Sequence, residues 1–534
     1  MDNFSASLRI GKPAVAGDGG IVAAQHRRAA EVGAKVLAEG GDAVDAAIAT
    51  SFALGVLEPW MSGIGGGGAM VLYRAKAQRY SVIDFGMRAP VSLDTADYPL
   101  SGKGVASDLF PWASVEGDRN LHGSFSIAVP GVVDGMRVAF ERYATKAWQD
   151  LVAPAVSLAQ EGLLVDWMTT QNIASAAADL QRYAGAREAY LVNGLPPVPA
   201  WSARTELRLP QKALAATLQR LAEAGPRDLY EGELARRLAG EIQSLGGKLS
   251  VADLHAYRAR EAEPLMLDYR GARVAATPEL TAGPTLAHVL KMLSEDLRPS
   301  TGPSLDTYLA YASALQRAYE FRLTRMGDVD GARAPACTTH FCVADRHGNI
   351  ASVTQTLLSI FGSRVNLQDT GVLMNNGIMW FDPEPGRPNS LAAGKRCLTN
   401  YCPIIAEHGS RRFAIGASGG RRILPAVTQL LSYIVDFGDD LQTAMHRPRI
   451  DASEGPLVIG DKALDAAIHA GLSSRFEYVQ QHRMTMPMKF ACPSAVARAA
   501  GINSGATEIA QPWADAVAQP GGAELQGTDG GKSR

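Results

Sequence analysis

The feature that most constrains the fold of this chain is the run from Cys337 to Leu357, which has the pattern of a β-hairpin. Two segments rich in apolar, β-branched and threonine residues, 341–344 and 350–357, flank the polar and glycine residues 345–349. That central cluster supplies turn residues and a glycine suited to positive φ. The run therefore predicts two antiparallel strands joined by a tight turn.

Two threonines lie at the open end of this predicted hairpin. If the hairpin is symmetric about His347, facing residues have numbers that sum to 694, so Thr338 lies opposite Thr356. Their Cβ atoms would then be about 4.5–5.5 Å apart. An ordinary threonine pair across two strands and a pair of hydroxyls that act in chemistry both fit this placement. The hairpin alone favours the ordinary pair.

Composition limits the partners of the chain. Of its 534 residues, 46% are hydrophobic and 20% are charged, so there is enough apolar material for a large core. The 52 basic and 54 acidic side chains are balanced, so no strong field attracts nucleic acid or a membrane surface. The N-terminus lacks a basic segment followed by an apolar one, and no apolar run reaches about 18 residues. We therefore expect a cytoplasmic protein that acts on a small molecule.

Two further patterns invite a metal or phosphate interpretation. The x4-spaced cysteine pairs are Cys337 with Cys342 and Cys397 with Cys402. Strand alternation puts the first pair on opposite faces, and no nearby His or Cys clearly completes either set, so we expect buried apolar cysteines, no metal and no cofactor. The glycine-rich run 62–69 precedes a strand, where a phosphate-binding loop needs a helix. Close backbone packing, or a loop that lines a site, is favoured for this run.

The order of predicted elements indicates the fold class. From Ile21 the pattern is helical up to Gly40, and Asp42 is a suitable N-cap for a second helix. Blocks of strands then alternate with blocks of helices, which favours a layered α+β fold with antiparallel sheets. We expect residues 327–336 to form an exposed loop of the kind that is cut, and the tail from about residue 519 to be disordered.

Several short motifs together resemble the γ-glutamyltransferase family of N-terminal-nucleophile hydrolases, over roughly residues 20–500 of this chain. No single motif is decisive, but their common order and spacing make a chance match improbable. The motifs are Gly40–Ala47, Glu58-Pro59, Ser62–Gly67, Ala128–Gly131, Thr338–His340, Thr354–Leu357, Phe361–Ser363, Asn375-Asn376 and Ser418–Gly420.

The resemblance implies a four-layer αββα fold with two stacked antiparallel sheets, and a precursor that cuts its own Cys337–Thr338 bond. Residues 1–337 would form a large subunit and residues 338–534 a small one, both within one intertwined structural domain. The implied partners are a small-molecule amide and a water or amine acceptor. A dimer of such heterodimers is left open.

The resemblance also assigns chemistry to four positions. Thr338 would become the N-terminal nucleophile after cleavage, and its own α-amine, with a pKa of about 7.7–8.0, would serve as its base. Thr356 matches the family threonine that orients the nucleophile. Gly419 and Gly420 match the backbone donors of the oxyanion hole, although an ordinary glycine-rich helix entry is the other interpretation of this pair.

The family residues that hold a glutamyl substrate are not matched. The family has an arginine, an asparagine, a glutamine, an aspartate and two serines where this chain has Gly86, Leu358, Gly377, Trp380, Thr399 and Asn400. An α-ammonium buried beside Leu358 and Trp380 would lose its charge partner and its hydrogen bonds. We therefore expect weak or absent γ-glutamyl activity.

These observations predict a self-processing amide hydrolase or acyltransferase for a bulkier or more apolar acyl group. Arg88 lies two residues after Gly86, on the same face if the strand continues, and could instead pair with an acyl carboxylate in a rebuilt γ-glutamyl site. A solvated or structural Arg88 fits equally well. A third alternative is a non-catalytic scaffold that keeps the fold.

Overall fold

The computed structural model describes residues 10–105, 112–322, 326, 336–521 and 524–525. The strands, in chain order, are β1 (Val15–Gly17), β2 (Ile21–Ala24), β3 (Gly67–Arg74), β4 (Arg79–Phe85), β5 (Leu100–Val105), β6 (Ala113–Val115), β7 (Leu163–Leu164), β8 (Arg208–Leu209), β9 (Arg260–Ala262), β10 (Leu265–Tyr269), β11 (Ala272–Ala276), β12 (Ala336–Ala344), β13 (Ile350–Ser359), β14 (Ile404–His408), β15 (Arg411–Ser418), β16 (Ile450–Glu454), β17 (Leu457–Asp461), β18 (Glu477–Gln481), β19 (Cys492–Ala499), β20 (Ile502–Thr507), β21 (Asp515–Ala518) and β22 (Glu524–Leu525). The α-helices are α1 (Arg27–Ala38), α2 (Ala43–Leu57), α3 (Val132–Tyr143), α4 (Trp148–Glu161), α5 (Trp167–Leu180), α6 (Ala184–Tyr190), α7 (Lys212–Ala224), α8 (Asp228–Glu231), α9 (Glu233–Ser244), α10 (Val251–Ala256), α11 (Gly283–Asp296), α12 (Leu305–Phe321), α13 (Ile423–Asp436), α14 (Leu441–His446) and α15 (Ala466–Ser473).

Two antiparallel sheets dominate the described part of the chain. One has seven strands in the order β21-β2-β12-β13-β3-β4-β9, and the other has eight in the order β10-β11-β14-β15-β19-β20-β1-β22. The sheets stack face to face, with β12 against β15 and β19. Apolar side chains that include Val71, Cys342, Ile405 and Val496 fill the space between them.

Helices cover the outer face of each sheet. α1, α2 and α3 pack on the seven-stranded sheet, and α11, α13 and α14 pack on the eight-stranded sheet, each over a large apolar core. The four-layer αββα arrangement predicted from the sequence is confirmed. None of the described helices combines the length and the apolar character that a membrane crossing requires.

The predicted hairpin is the central feature of the seven-stranded sheet. β12 and β13 pair antiparallel. From Thr339 opposite Gln355 to Ala344 opposite Ile350, the numbers of facing residues add up to the predicted 694. In the turn, the Asp345 carboxylate accepts hydrogen bonds from the backbone N–H of His347 and of Asn349, at 2.8 and 2.9 Å.

The predicted start of α2 is also confirmed. The Asp42 carboxylate accepts from the N–H of Val44 at 2.8 Å and of Asp45 at 3.2 Å, and the Asp45 carboxylate accepts from the N–H of Asp42 at 2.9 Å. This reciprocal capping fixes the first turn of a helix that is buried on nearly every side. The chain leaves α2 at Glu58-Pro59, next to the strand end that carries Thr338.

The segment Ile21–Ala24 is a strand, so the prediction of a helix from Ile21 was wrong. Ile21 and Ala23 face the core between the sheets, whereas Val22 and Ala24 face the core under the helices. A strand buried on both faces is a continuous apolar run, and periodicity cannot distinguish it from a buried helix. The helix begins only at Arg27.

Two other segment predictions have different outcomes. Glu524–Leu525 forms β22 and pairs with β1, so the prediction of a disordered tail was wrong for these two residues. Residues 327–335 of the predicted exposed loop lie outside the described residues, and Ala336 is already part of β12.

Candidate active site

The ladder of the hairpin ends at a β-bulge beside Thr338. Pairing follows the sum of 694 up to Thr339 and shifts by one residue at Cys337, so Thr338 faces both Thr356 and Leu357. The Thr338 hydroxyl donates a hydrogen bond to the Thr356 Oγ1 over 3.4 Å, and both side chains are buried. The predicted contact between the hydroxyls is confirmed, together with a local register shift that a symmetric hairpin does not contain.

The glycine-rich run 62–69 holds the strand that carries Thr356. A Cβ on Gly66 would lie 2.3 Å from the Thr356 carbonyl oxygen, and one on Gly68 would lie 2.2 Å from the Thr354 carbonyl oxygen. A side chain at either position would therefore push β13 away. The interpretation of this run as close backbone packing is confirmed.

Leu358 helps to orient the Thr356 hydroxyl. Its backbone has a φ of 88°, a conformation that L side chains rarely adopt, and its N–H donates to the Thr356 Oγ1 at 2.8 Å. The Thr356 oxygen thus accepts from Leu358 and from Thr338.

Gly419 and Gly420 connect β15 to α13 and lie next to β12. Their φ values are 129° and 58°, and a Cβ on Gly419 would lie 3.0 Å from the Ala491 Cα. The short 3-10 turn Gly420–Arg422 packs against β12. Neighbouring N–H groups in such a turn can converge on one acceptor, which an oxyanion hole requires.

Gln25 connects the end of β15 with the start of β12 through its side-chain hydrogen bonds. Its amide nitrogen donates to the Ser418 Oγ at 2.5 Å and to the Cys492 carbonyl at 2.9 Å. Its amide oxygen accepts from the Thr339 hydroxyl at 3.5 Å. The end of β15 before Gly419 is therefore held against the start of β12.

Glu58 lies beside the end of β12 that carries Thr338 and Thr339, and sequence reasoning gave it no role. Its carboxyl group is buried and accepts a hydrogen bond from the Thr339 hydroxyl at 3.2 Å. Burial raises the pKa of Glu58 to about 7, and the Thr339 hydrogen bond opposes that rise. An acidic residue directly after an apolar, buried helix was the signal that could have identified it.

The positions that hold glutamate in the family form an apolar wall here, which we call the Leu358 wall. Leu358 and Trp380 are buried in one cluster with Met87. Gly377 is tightly packed, because a Cβ there would lie 2.8 Å from the Ala128 Cβ. The structure thus brings Leu358, Gly377 and Trp380 together and presents hydrocarbon where an α-ammonium would need acceptors.

Thr399 and Asn400 lie against a buried arginine that sequence reasoning missed. Arg322 donates to the Thr399 carbonyl at 2.7 Å and to the Asn400 Oδ1 at 3.3 Å. It also donates to the Thr281 carbonyl at 3.0 Å and to the Thr285 hydroxyl at 3.1 Å. Burial lowers the pKa of Arg322 to about 10. Arg322 therefore links residues 399–400 to the start of α11 and to the residue Thr281 just before it.

Gly86 and Arg88 do not share one face of a strand, because β4 ends at Phe85. Gly86 is buried, and its carbonyl accepts from the Tyr257 hydroxyl at 2.8 Å. The side chain of Met87 joins the Leu358 wall, whereas Arg88 is exposed.

The described cysteines near the site are buried. Cys342 contacts His340, whose Nε2 lies 3.1 Å from its Sγ, and the His340 Nδ1 lies 2.9 Å from the Thr354 Oγ1. Burial raises the pKa of Cys342 to about 12 and lowers the pKa of His340 to about 3. Cys397 and Cys402 are buried as well, so the prediction that these cysteines are buried is confirmed for Cys342, Cys397 and Cys402. The side chain of Cys337 lies outside the described residues.

Known proteins match this chain over most of its length. The Gamma-glutamyltranspeptidase family model matches residues 29–337 and 331–512. The chain is 31% identical over 510 residues to an acylase ACY 1 proenzyme from a Pseudomonas strain, with 89% of each chain covered. It is 31% identical over 489 residues to the glutathione hydrolase proenzyme of Bacillus subtilis, with 81% of each covered. In structure it is similar to the cephalosporin acylase of Bacillus halodurans, with a TM-score of 0.84, 24% identity, and 98% of this chain and 99% of that chain covered.

Proposed function

Since the chain belongs to the gamma-glutamyltranspeptidase family, we propose that it is a self-processing enzyme in which Thr338 forms an acyl intermediate with a non-glutamyl amide. As a member of this family it is an N-terminal-nucleophile amidohydrolase or acyltransferase. The observation that carries the proposal is the 3.4 Å hydrogen bond from the Thr338 Oγ1 to the Thr356 Oγ1 at the end of the hairpin. The relatives named as proenzymes support the processing step.

In the proposed self-cleavage, the Thr338 oxygen attacks the carbonyl carbon of Cys337. The C–N bond then breaks, the Thr338 nitrogen takes up a proton, and the Cys337 acyl group is left as an ester on the Thr338 oxygen. Water hydrolyses that ester, which gives a Cys337 carboxylate and returns the hydroxyl. The products are a large subunit of residues 1–337 and a small subunit of residues 338–534.

In the proposed turnover, the new α-amine of Thr338 accepts the hydroxyl proton as the oxygen attacks the substrate amide. Backbone N–H groups at Gly419 and Gly420 stabilise the oxyanion, and Thr356 keeps the Thr338 oxygen in position. The leaving amine departs with a proton, and water or a second amine takes the acyl group from Thr338. Losing one oxyanion donor typically costs about 10²–10³-fold in rate.

The Leu358 wall supports an acyl group other than glutamyl. A free α-ammonium or α-carboxylate placed against Leu358 and Trp380 would lose water without gaining a charged partner. The alternative that uses Arg88 gains no support, since Arg88 is exposed whereas Leu358 and Trp380 are buried. The cytoplasmic location and the dimer of heterodimers stay predictions from the sequence.

Self-cleavage is tested on a denaturing gel. A mass of 56.6 kDa over 534 residues is about 106 Da per residue, so the 337- and 197-residue fragments should run at roughly 36 and 21 kDa. Thr338→Ala should remain one band, whereas Thr338→Ser, which keeps a hydroxyl, should still be cut. Cleavage of Thr338→Ala, or a small fragment whose measured mass does not begin at Thr338, would contradict the assignment.

Acyl specificity is tested on the mature enzyme. Hexanoyl- and phenylacetyl-p-nitroanilide should release p-nitroaniline faster than γ-glutamyl-p-nitroanilide, and mass spectrometry should detect the acyl group on the 21 kDa fragment. Faster release from the γ-glutamyl compound would instead support a rebuilt glutamyl site. A chain that stays intact and takes no acyl group would support the scaffold alternative.

A further inference from the structure

We propose that Gln25 is a positioning residue for the reaction, because its side chain holds Gly419 and Gly420 in register with the nucleophile. The proposal rests on the proposed function, since it requires an acyl group on Thr338 and an oxyanion bound by the two glycines. Thr338 belongs to β12 of the seven-stranded sheet, and Gly419 follows the last residue of β15 in the eight-stranded sheet. The two halves of the site therefore come from different sheets.

The apolar packing between the sheets sets their distance more closely than their register. Apolar side chains fill much of the space between the sheets, and the attraction between apolar surfaces has no preferred direction. An oxyanion donor must lie about 2.7–3.1 Å from the oxygen that it stabilises, and a misplacement of about 1 Å can lower the rate about 10²-fold. A directional contact between the two strand ends therefore has a direct effect on the reaction.

Gln25 provides such a contact. It directly follows β2, which pairs antiparallel with β12, so its backbone is attached to the sheet that carries the nucleophile. Its amide nitrogen reaches the other sheet, where it donates to the Ser418 hydroxyl at 2.5 Å and to the Cys492 carbonyl at 2.9 Å. Ser418 and Cys492 face each other at the end of the β15–β19 ladder. One amide group thus holds both strands of that ladder at the edge next to the glycines.

The position of Ser418 directs this contact to the oxyanion turn. Ser418 is the last residue of β15 and directly precedes Gly419. Gly419 and Gly420 have φ values of 129° and 58°, so the backbone leaves the strand conformation at this point. The end of β15 is the fixed point from which the turn starts. A shift of Ser418 therefore moves the N–H groups of both glycines.

Thr339 and Glu58 extend the hydrogen-bonded group on the side of the nucleophile. The Thr339 hydroxyl lies 3.2 Å from the Glu58 carboxylate oxygen and 3.5 Å from the Gln25 amide oxygen. Gln25, Thr339, Glu58 and Ser418 are all buried, so water does not readily replace a hydrogen bond that is lost. Removal of the Gln25 amide takes a buried donor away from the ends of β15 and β19. These strand ends can recover a hydrogen bond only by moving.

The test compares Gln25→Met with a second buried glutamine. Methionine keeps the length and the unbranched shape of the side chain but does not replace the amide donor. Gln429 is also fully buried and makes three hydrogen bonds, to the Pro425 carbonyl and to the backbone of Ile450, between α13 and β16. Gln429→Met is therefore the matched control. Urea unfolding measures the structural cost of each change.

Pentylboronic acid and hexanoate separate oxyanion stabilisation from simple binding. The boron takes up the Thr338 oxygen, the hydroxyl proton passes to the α-amine, and the adduct is a tetrahedral anion like the transition state. Hexanoate carries the same chain but does not form this adduct. Gln25→Met should raise Ki for pentylboronic acid and lower kcat for hexanoyl-p-nitroanilide about tenfold or more, with less than about threefold change in KM and in Ki for hexanoate. Gln429→Met should leave the ratio of the two Ki values unchanged.

Ser418→Ala tests the route of the effect with a smaller change. It should also raise Ki for pentylboronic acid relative to that for hexanoate. The double variant Gln25→Met/Ser418→Ala should be no weaker than Gln25→Met, because both changes remove the same contact. Effects that multiply in the double variant, or equal increases of both Ki values in Gln25→Met, would overturn the proposal. If Gln25→Met does not fold or is not cut, an unchanged ratio in Ser418→Ala overturns it.

The parent enzyme separates this proposal from the proposed function. If mass analysis detects no acyl group on Thr338 with any amide, the proposed function fails, and the role of Gln25 fails with it. If acyl-Thr338 forms in the parent and Gln25→Met keeps the parent's ratio of the two Ki values, only the positioning role of Gln25 fails.

Discussion

Glu58 is buried beside the end of β12 that carries Thr338, and its replacement by glutamine should make the uncut protein more stable at alkaline pH. The perturbation is best made in the Thr338→Ala variant, because the bond between residues 337 and 338 then stays intact and no α-ammonium forms near Glu58. Glutamine preserves the shape of the side chain, and its amide oxygen can still accept the hydrogen bond from the Thr339 hydroxyl.

The sign of the effect follows from the raised pKa of Glu58. An ordinary glutamate loses its proton near pH 4.5, whereas burial raises the pKa of folded Glu58 to about 7. Between these values the folded state binds more protons than the unfolded state, so the stability falls as the pH rises through this window. Above pH 7 the full destabilising contribution is present, and Glu58→Gln removes it.

The magnitude follows from the same two pKa values. They differ by about 2.5 pKa units, and about 1.4 kcal/mol for each unit gives about 3 kcal/mol. Glu58→Gln should therefore raise the free energy of unfolding by about 1 kcal/mol at pH 5 and by about 3 kcal/mol at pH 8.

The assay is urea unfolding followed by tryptophan fluorescence at intervals from pH 5 to pH 8. Glu223→Gln is the control, because Glu223 is an exposed glutamate of α7, far in sequence from Glu58. The reasoning is refuted if the stability difference for Glu58→Gln does not change with pH, or if the variant becomes less stable as the pH rises.

Three further predictions concern packing, orientation and the attachment of the large subunit. Gly416→Ala should destabilise the protein by several kcal/mol or prevent folding, because its Cβ would lie 2.2 Å from the ring of the buried His340. Gly240→Ala in α9 has open space around its Cβ, so it should stabilise the protein by about 0.5–1 kcal/mol. Urea midpoints measure both changes, and similar values for the two variants would contradict the packing described here. Thr356→Val should slow self-cleavage about 100-fold in a gel time course, since it removes the hydroxyl that receives the Thr338 hydrogen bond. Thr356→Ser keeps this hydroxyl and should be cleaved at nearly the rate of the parent. Equal cleavage rates for Thr356→Val and the parent would show that Thr356 does not orient Thr338. Lys12→Met should increase amide hydrogen exchange across residues 508–514, because the Lys12 ammonium donates to the carbonyls of Glu508, Gln511 and Ala514 at 3.1, 2.6 and 2.6 Å. Unchanged exchange in this segment would show that the three hydrogen bonds do not hold it.

Local patterns allowed much of the fold to be predicted. The turn residues around Gly348 and the flanking apolar segments determine the hairpin and its register, and Asp42 with Asp45 determines the start of α2. These features depend on contacts between residues close in the chain. The run Ile21–Ala24 was misread because its burial on two faces depends on both sheets and on the helices that cover them.

The candidate site shows the same division. The motif residues Thr338, Thr356, Gly419 and Gly420 were accessible from the sequence, as were the substitutions at Leu358 and Trp380. The sequence identified Glu58 only as part of a motif, because its raised pKa results from the elements that bury it. The exposure of Arg88 could not be predicted from the sequence, since it depends on where β4 ends.

The sequence by itself determined the family, the layered fold and the residues that can carry the chemistry, because these depend on residue type and on spacing along the chain. Only the tertiary structure decided the bulge at Thr338, the burial of Glu58 and Arg322 and the exposure of Arg88. Each of these features depends on segments that are far apart in the chain and come into contact only when the two sheets stack. Those contacts determine which side chains are buried.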